Sequence, residues 1–203
     1  MPSTNYALAN SATSNSSTQN AVVASPGGLQ QALVGCLFTG TAQAVTSGTG
    51  ASSWVPTGRG PSGVSTPTIP ANYLVAGKTL RLRIMGQMVT QATPGTVTLG
   101  LALGTSTLWT TAANTPTVSL SQGFSADVLV TCLTAGASGT CAISGQISYD
   151  TGNISGIDTL FAVANTGVAI NTTISNLLAV TTTNSVSGGT VFTINSFLLE
   201  ALN

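Results

Sequence analysis

Residues 124 to 149 carry two runs of alternating apolar and polar side chains on either side of a turn signal at Gly136-Ala137. A two-residue turn there sets four apolar pairs opposite one another on one face: Cys132 and Cys141, Val130 and Ile143, Val128 and Gly145, and Ala126 and Ile147. A slip of one residue would turn every side chain to the other face, so this agreement specifies a register. The segment therefore predicts an antiparallel hairpin.

Period-two alternation or β-rich composition marks further strands, and no sustained apolar stripe of helical spacing occurs. The predicted strands are 32–45, 78–91, 97–103, 106–110, 159–164, 177–183 and 190–199. Pro94-Gly95 and Gly188-Gly189 predict two more hairpins, each between the strands that flank the turn. Eight or nine short strands favour an all-β antiparallel β-sandwich, jelly-roll-like, with a seven-stranded immunoglobulin-like sandwich as the alternative.

The N-terminal region differs from the remainder. Residues 1–30 form a polar low-complexity arm, in which Asn10 to Asn20 reads NSATSNSSTQN. Such a stretch buries too little apolar area to offset its ordering entropy, so it is either a disordered tail or an extended arm that orders against a neighbouring subunit. Residues 31–203 make the β-sandwich domain, with a long Gly/Pro/Ser loop at 46–71.

Charge is scarce: the chain has four basic and four acidic side chains and no histidine. Triads that depend on histidine are excluded, and the three cysteines have no zinc-site spacing. The sequence therefore predicts no enzyme and no cofactor. Three of the basic residues, Lys78, Arg81 and Arg83, are too few for a phosphate-binding stripe, so no nucleic-acid partner is expected. No apolar run is long enough for a membrane helix, and the N-terminus does not resemble a signal peptide.

The loop YDTGNISGID offers a weak calcium candidate in Asp150, Asn153 and Asp158. An ordinary turn shaped by Asp and Asn side chains is the favoured interpretation, and it is also preferred over a catalytic pair formed by the two aspartates. Cys132 and Cys141 either form a cross-strand disulfide or remain buried thiols. A reducing cytoplasm favours free thiols.

Arg81 and Arg83 point outward on their predicted strand. They either keep an exposed face soluble or form ion pairs between subunits, with Asp127 or Glu200 as partners. The interface candidates are therefore Arg81, Arg83, Trp54, Glu200 and the arm segment Asn10 to Asn20. Trp54, Trp109 and Tyr149 are the residues that would stack on sugar rings in a carbohydrate-binding module.

The stretch from Ile69 to Gly86, IPANYLVAGKTLRLRIMG, resembles a strand-entry pattern of small virion proteins of tailed bacteriophages. The later GTVTLGLALGTSTLW and TVFTINSFLLEAL are similar to the following strands of such domains, so the likeness covers about residues 69 to 203. Among these proteins the chain looks most like jelly-roll capsid decoration, or cement, proteins.

The resemblance implies a structural protein without catalytic residues, made in the host cytoplasm and placed on the capsid surface of the virion. Its partners would be copies of itself, expected as a homotrimer, and the major capsid protein. Other phage proteins of this kind are fibre, spike or tail-tip components, but the chain lacks a long repetitive shaft. The alternative function is a phage tail or fibre part, or a receptor- or carbohydrate-binding β-sandwich module.

Overall fold

The computed structural model describes residues 35–40, 43–46, 58–59, 66–149 and 159–203, and this part of the chain contains strands and no helix. The strands are β1 Gly35–Gly40, β2 Gln43–Thr46, β3 Gly58–Arg59, β4 Thr68–Ile69, β5 Thr79–Thr90, β6 Val97–Leu103, β7 Ser106–Thr110, β8 Ser121–Thr134, β9 Gly139–Tyr149, β10 Thr159–Ile170, β11 Asn176–Asn184 and β12 Thr190–Ala201. No helix that is long and apolar enough to cross a membrane occurs within these ranges. The predicted arm at 1–30 and most of the loop at 46–71 lie outside the described residues.

The strands form two antiparallel sheets. The larger has the order β10-β9-β8-β5-β12-β1-β3, with β2 also pairing with β12, and the smaller has the order β4-β11-β6-β7. Eight of these strands have the order of an eight-stranded jelly roll, as the two four-stranded runs β1-β12-β5-β8 and β4-β11-β6-β7. Strands β9 and β10 extend the larger sheet beyond β8. The antiparallel β-sandwich is thereby confirmed, in its jelly-roll-like form.

The hairpin predicted across residues 124–149 is confirmed. Cys132 pairs with Cys141, and the other three predicted pairs of β8 and β9 are also opposite one another. The connection is longer than two residues, since β8 ends at Thr134 and β9 begins at Gly139. A register shift at Thr140 absorbs the difference.

Two other predicted hairpins are wrong. β5 pairs with β8 and β12, whereas β6 pairs with β7 and β11, so the turn at Pro94-Gly95 carries the chain from one sheet to the other. The turn at Gly188-Gly189 likewise joins β11 to β12 across the sandwich. A turn signal marks a reversal of the chain, and it does not say whether the next strand pairs with the previous one or packs over it. The single strand predicted at 32–45 is two strands, β1 and β2.

The core lies between the two sheets and is built from the inward residues of the alternating strands. Phe192 of β12 meets Phe124 edge to face at 5.3 Å between ring centroids, and meets Tyr149 at 6.4 Å. These three rings pack in the T-shaped arrangement that aromatic pairs prefer. A cavity of only about 30 Å³, lined by apolar surface, remains among the described residues of the core.

At one edge of the sandwich, β7 of the smaller sheet and β10 of the larger sheet are connected by hydrogen bonds from side chains and not by strand pairing. Ser106 of β7 donates its hydroxyl to the carbonyl of Ala169 on β10 at 2.7 Å, and Asn165 Nδ2 donates to the carbonyl of Leu108 at 3.2 Å. β10 also carries a bulge next to Gly167, whose φ is 76°. Bulges and side-chain bridges of this kind protect an edge strand from pairing with another chain.

Candidate functional site

The segment from Ile69 to Lys78 forms the corner between the two sheets, because it joins β4 to β5. Asn72, with φ of 61°, donates its backbone N–H to the carbonyl of Thr172 at 2.7 Å, and the N–H of Tyr73 reaches Pro70 O at 3.2 Å. Gly77, with φ of 84°, donates to Cys132 O at 2.8 Å. Asn and Gly are the residues that tolerate positive φ, so the pattern is explained by the turn it makes.

Lys78 is buried inside this corner. Its Nζ lies 4.9 Å from the centroid of the Tyr73 ring, and both residues are about 3% exposed. A cation over an aromatic face is attracted by the ring quadrupole, which offsets part of the cost of burial. Burial lowers the pKa of the Lys78 amine and raises the pKa of Tyr73 to about 12.

The outer face of the larger sheet holds the ion pairs. Arg81 of β5 binds Asp127 of β8 through Nε and Nη2, and Arg83 Nε lies 3.5 Å from the same carboxylate. Hydrogen bonding to Arg81 lowers the pKa of Asp127. Ion pairs between subunits were one of the roles predicted for these arginines, and the contacts with Asp127 form within one chain. Glu200 of β12 lies opposite Arg81 in the ladder, and no ion pair of Glu200 occurs among the described residues.

Apolar side chains surround this cluster. Met85 is 48% exposed, and the outward-pointing Leu129 and Leu198 are half-buried on the neighbouring strands. Arginine and methionine are enriched at protein interfaces, whereas an uncovered sheet face also uses arginine for solubility. The surroundings of Arg81 and Arg83 therefore suit both predicted roles.

Several candidates lie outside the described residues. These are Asp150, Asn153 and Asp158 of the calcium hypothesis, Trp54, and the arm segment Asn10 to Asn20. In the part of the chain that is described, no group of three or more Cys, Asp or Glu side chains is close enough to hold a metal ion.

The other two aromatic candidates for sugar stacking face the interior. Tyr149 is fully buried, and Trp109 is half-buried, packs against the core and lines the small internal cavity. Stacking on a sugar needs an open ring face. Tyr149 presents none on the surface, and Trp109 is only partly exposed.

A depression of about 560 Å³ opens where β5, β8 and β12 run side by side, and sequence reasoning missed it. Its lining consists of Met85, Gly86, Gln122, Gly123, Phe124, Ser125 and Asn195. β12 has a register shift between Ile194 and Ser196, which leaves Asn195 exposed at a bulge. The signal was present in the sequence, because the inward residues Ile194 and Phe197 are three apart rather than two.

Cys132 and Cys141 are free thiols, directly opposite each other and fully buried. Burial raises the pKa of both, to about 12 for Cys141. Because the thiolate is the reactive form, these cysteines serve as small apolar core residues.

No protein-family model and no curated protein matches the chain. Among solved structures it is similar to the legume lectin-like domain from Entamoeba histolytica, at 11% identity over 78% of this chain and 89% of that one, with a TM-score of 0.24. A TM-score this low carries no argument about topology or function.

Proposed function

We propose that the chain is a structural virion protein of a tailed phage that decorates the capsid and stabilises it by bridging capsid subunits as a homo-oligomer. The observation that carries the proposal is the corner from Ile69 to Lys78, which joins the two sheets of a jelly-roll-like sandwich. This is the segment whose pattern resembles phage virion proteins. Its distinctive residues Asn72, Gly77 and Lys78 build the corner of the fold, and this supports the proposal.

The mechanism is mechanical and multivalent. Copies bury apolar and amide-rich surface against each other and against the major capsid protein, and many modest contacts on one shell add up. Surfaces with few charges cost little ion desolvation on burial, and their attachment depends weakly on salt. A trimer is the state expected from the resemblance.

Electron cryo-microscopy of particles purified from the source tests this function. We expect density for the jelly roll on the outer capsid surface, next to the major capsid protein. Density at the tail would assign the chain to a tail or fibre part. A protein that is absent from every particle and monomeric at micromolar concentration would overturn the proposal.

The arm has its own test. Deleting residues 1–30 should weaken attachment to particles stripped of the protein, because the arm is proposed to order against a neighbouring subunit. The melting temperature of the sandwich should remain unchanged. Full attachment of the truncated protein would remove the arm from the mechanism.

A carbohydrate- or receptor-binding module is the second candidate, favoured by the depression beside Asn195. Its lining is uncharged and offers amide and hydroxyl groups from Gln122, Ser125 and Asn195, which suit a neutral polar ligand. Glycan-array screening of the intact protein tests it. Binding that is lost in Asn195→Ala supports this function, and an array without signal removes it.

A further inference from the structure

Cys132 and Cys141 form a close cross-strand pair in the β8–β9 hairpin. The backbone N–H of Cys132 donates to the carbonyl of Lys78, and its own carbonyl accepts from the N–H of Gly77, both at 2.8 Å. Because β8 lies between β5 and β9, both main-chain groups of Cys132 point away from Cys141. The two cysteines are therefore a non-hydrogen-bonded pair of the ladder, the kind in which opposite side chains approach most closely.

This geometry suits a disulfide bond. The Cα atoms of a non-hydrogen-bonded pair are about 4.5 Å apart, which falls within the range of about 4.4–6.8 Å that a disulfide spans. Both side chains point into the core, as do those of the next inward pair, Val130 and Ile143. Besides burial, which raises the pKa of both thiols, a hydrogen bond between the two side chains acts on each pKa. The two sulfur atoms are therefore neighbours.

The remaining cysteine of the chain does not compete for this bond. Cys36 lies on β1, which β12 and β5 separate from β8. Three strand spacings of about 4.8 Å each thus lie between Cys36 and Cys132, and a disulfide cannot bridge Cα atoms more than about 7 Å apart.

We propose that Cys132 and Cys141, which are thiols in this structure, are a cross-linking site that closes to a disulfide when the chain folds with a low-molecular-weight disulfide such as oxidised glutathione. One thiolate attacks the small disulfide, which forms a mixed disulfide and releases one small thiol. The second thiolate attacks the protein sulfur of that mixed disulfide and releases the second small thiol. The two cysteines lose two electrons and two protons, and the small disulfide takes up both.

Closure accompanies folding, because an oxidant does not reach the folded pair. Both residues are 0% exposed, and burial disfavours the reactive thiolate. The pair stays reduced in a chain that folds in a reducing cytoplasm, and the folded hairpin then keeps the state in which it formed. Since Cys132 also holds Gly77 and Lys78, the bond ties β9 to the corner between the sheets. The inference goes beyond the proposed function and does not rest on it.

Refolding the intact protein tests the cross-link. Cys36→Ser, which leaves only this pair, is unfolded in guanidinium and refolded either with oxidised glutathione or with a phosphine reductant. After removal of the small molecules, alkylation in guanidinium counts free thiols, intact mass identifies the product, and circular dichroism gives the melting temperature. Cys132→Ala in the same background is the control, because it cannot form the bond.

We expect the protein refolded with oxidised glutathione to have no free thiol and no bound glutathione, and the mass of one chain less two hydrogen atoms. Its melting temperature should be about 5–10 °C above that of the protein refolded with reductant, because the cross-link restricts the unfolded chain. The control should show no such rise.

Two free thiols, a mixed disulfide with glutathione, or a disulfide between two chains as the main product would overturn the inference. A disulfide that forms only with loss of the native spectrum, or that lowers the melting temperature, would do so too, because the folded hairpin would then not fit the bond. If Cys36→Ser does not refold, peptide mapping of the unmodified protein after the same refolding identifies the linked residues. A link that involves Cys36 would then count against the proposal.

Discussion

Arg81 on β5 and Asp127 on β8 are joined by two hydrogen bonds, 2.9 Å from Nε to Oδ1 and 2.5 Å from Nη2 to Oδ2. The two residues are diagonal rather than opposite, since the ladder sets Arg81 against Leu129 and Arg83 against Asp127. The carboxylate thus lies within reach of both arginines. Two-point pairing of this kind fixes the guanidinium in one orientation on the sheet surface.

The first prediction concerns acid stability. The pKa of Asp127 in the folded protein is below its ordinary value of 3.8, chiefly because of the hydrogen bonds from Arg81. Its contribution is therefore present above that ordinary value and is lost as the pH falls through the lower, folded pKa. In Asp127→Asn the melting temperature should fall less steeply below about pH 4 than in the unmodified protein.

Glu200→Gln is the control, because it removes a carboxylate that makes no ion pair among the described residues. At neutral pH its melting temperature should change less than that of Asp127→Asn, because it breaks no hydrogen-bonded ion pair among these residues. Parallel curves for Asp127→Asn and the unmodified protein would show that the pair with Arg81 adds nothing to acid stability.

The second prediction concerns the close approach at Gly86. A Cβ there would lie 2.2 Å from Thr193 O and 2.5 Å from Cε1 of the Phe124 ring. Gly86→Ala should therefore lower the free energy of unfolding by about 1–3 kcal/mol through overpacking, measured by urea titration. At Gly123 the nearest atom to an added Cβ is 3.8 Å away. Gly123→Ala should stay within about 0.5 kcal/mol, and a similar loss in both variants would contradict the packing described here.

The third prediction concerns thiol reactivity. Cys132 and Cys141 are inaccessible, and burial holds their pKa values above the ordinary value of 9.0. In a Cys36→Ser background, the folded protein should not react with a thiol-specific disulfide reagent at neutral pH, and two equivalents should react after unfolding in guanidinium. Rapid labelling of the folded variant would mean that the β8–β9 hairpin opens easily.

The fourth prediction concerns the aromatic cluster. Phe192 is 2% exposed and contacts the rings of both Phe124 and Tyr149. Phe192→Ala should lower the free energy of unfolding by about 3–5 kcal/mol, because a cavity remains where the ring was. Val191→Ala, on the outward face of the same strand, should cost less than about 1 kcal/mol. Chemical denaturation of the two variants measures the difference. Equal losses of unfolding free energy would mean that Phe192 is not the residue of this pair that faces the core.

The class of fold could be predicted from side-chain alternation. Alternation with a period of two residues indicates which side chains of a strand point inward, whatever strand it pairs with. The inward residues of β5, β6, β8 and β9 were therefore predicted correctly. The register of β8 and β9 was predictable too, because a short turn and an apolar face constrain it together.

Strand partners were not predictable in the same way. β5 and β6 both direct an apolar face toward one core, and this pattern is the same whether the two strands lie side by side or on opposite sheets. Which arrangement occurs depends on how all the strands cover the core at once, and the chain crosses the sandwich after Thr90 and again after Asn184.

The sequence by itself determined an all-β chain with few charges, an inward and an outward face for each main strand, and an antiparallel hairpin around Gly136. Only the tertiary structure decided that Arg81, Arg83, Asp127 and Glu200 share one outer face while the other sheet has none. The reason is that β5, β8 and β12 are distant in the chain and become neighbours only through pairing. Local patterns specify where a side chain points, and long-range pairing specifies which side chains it joins.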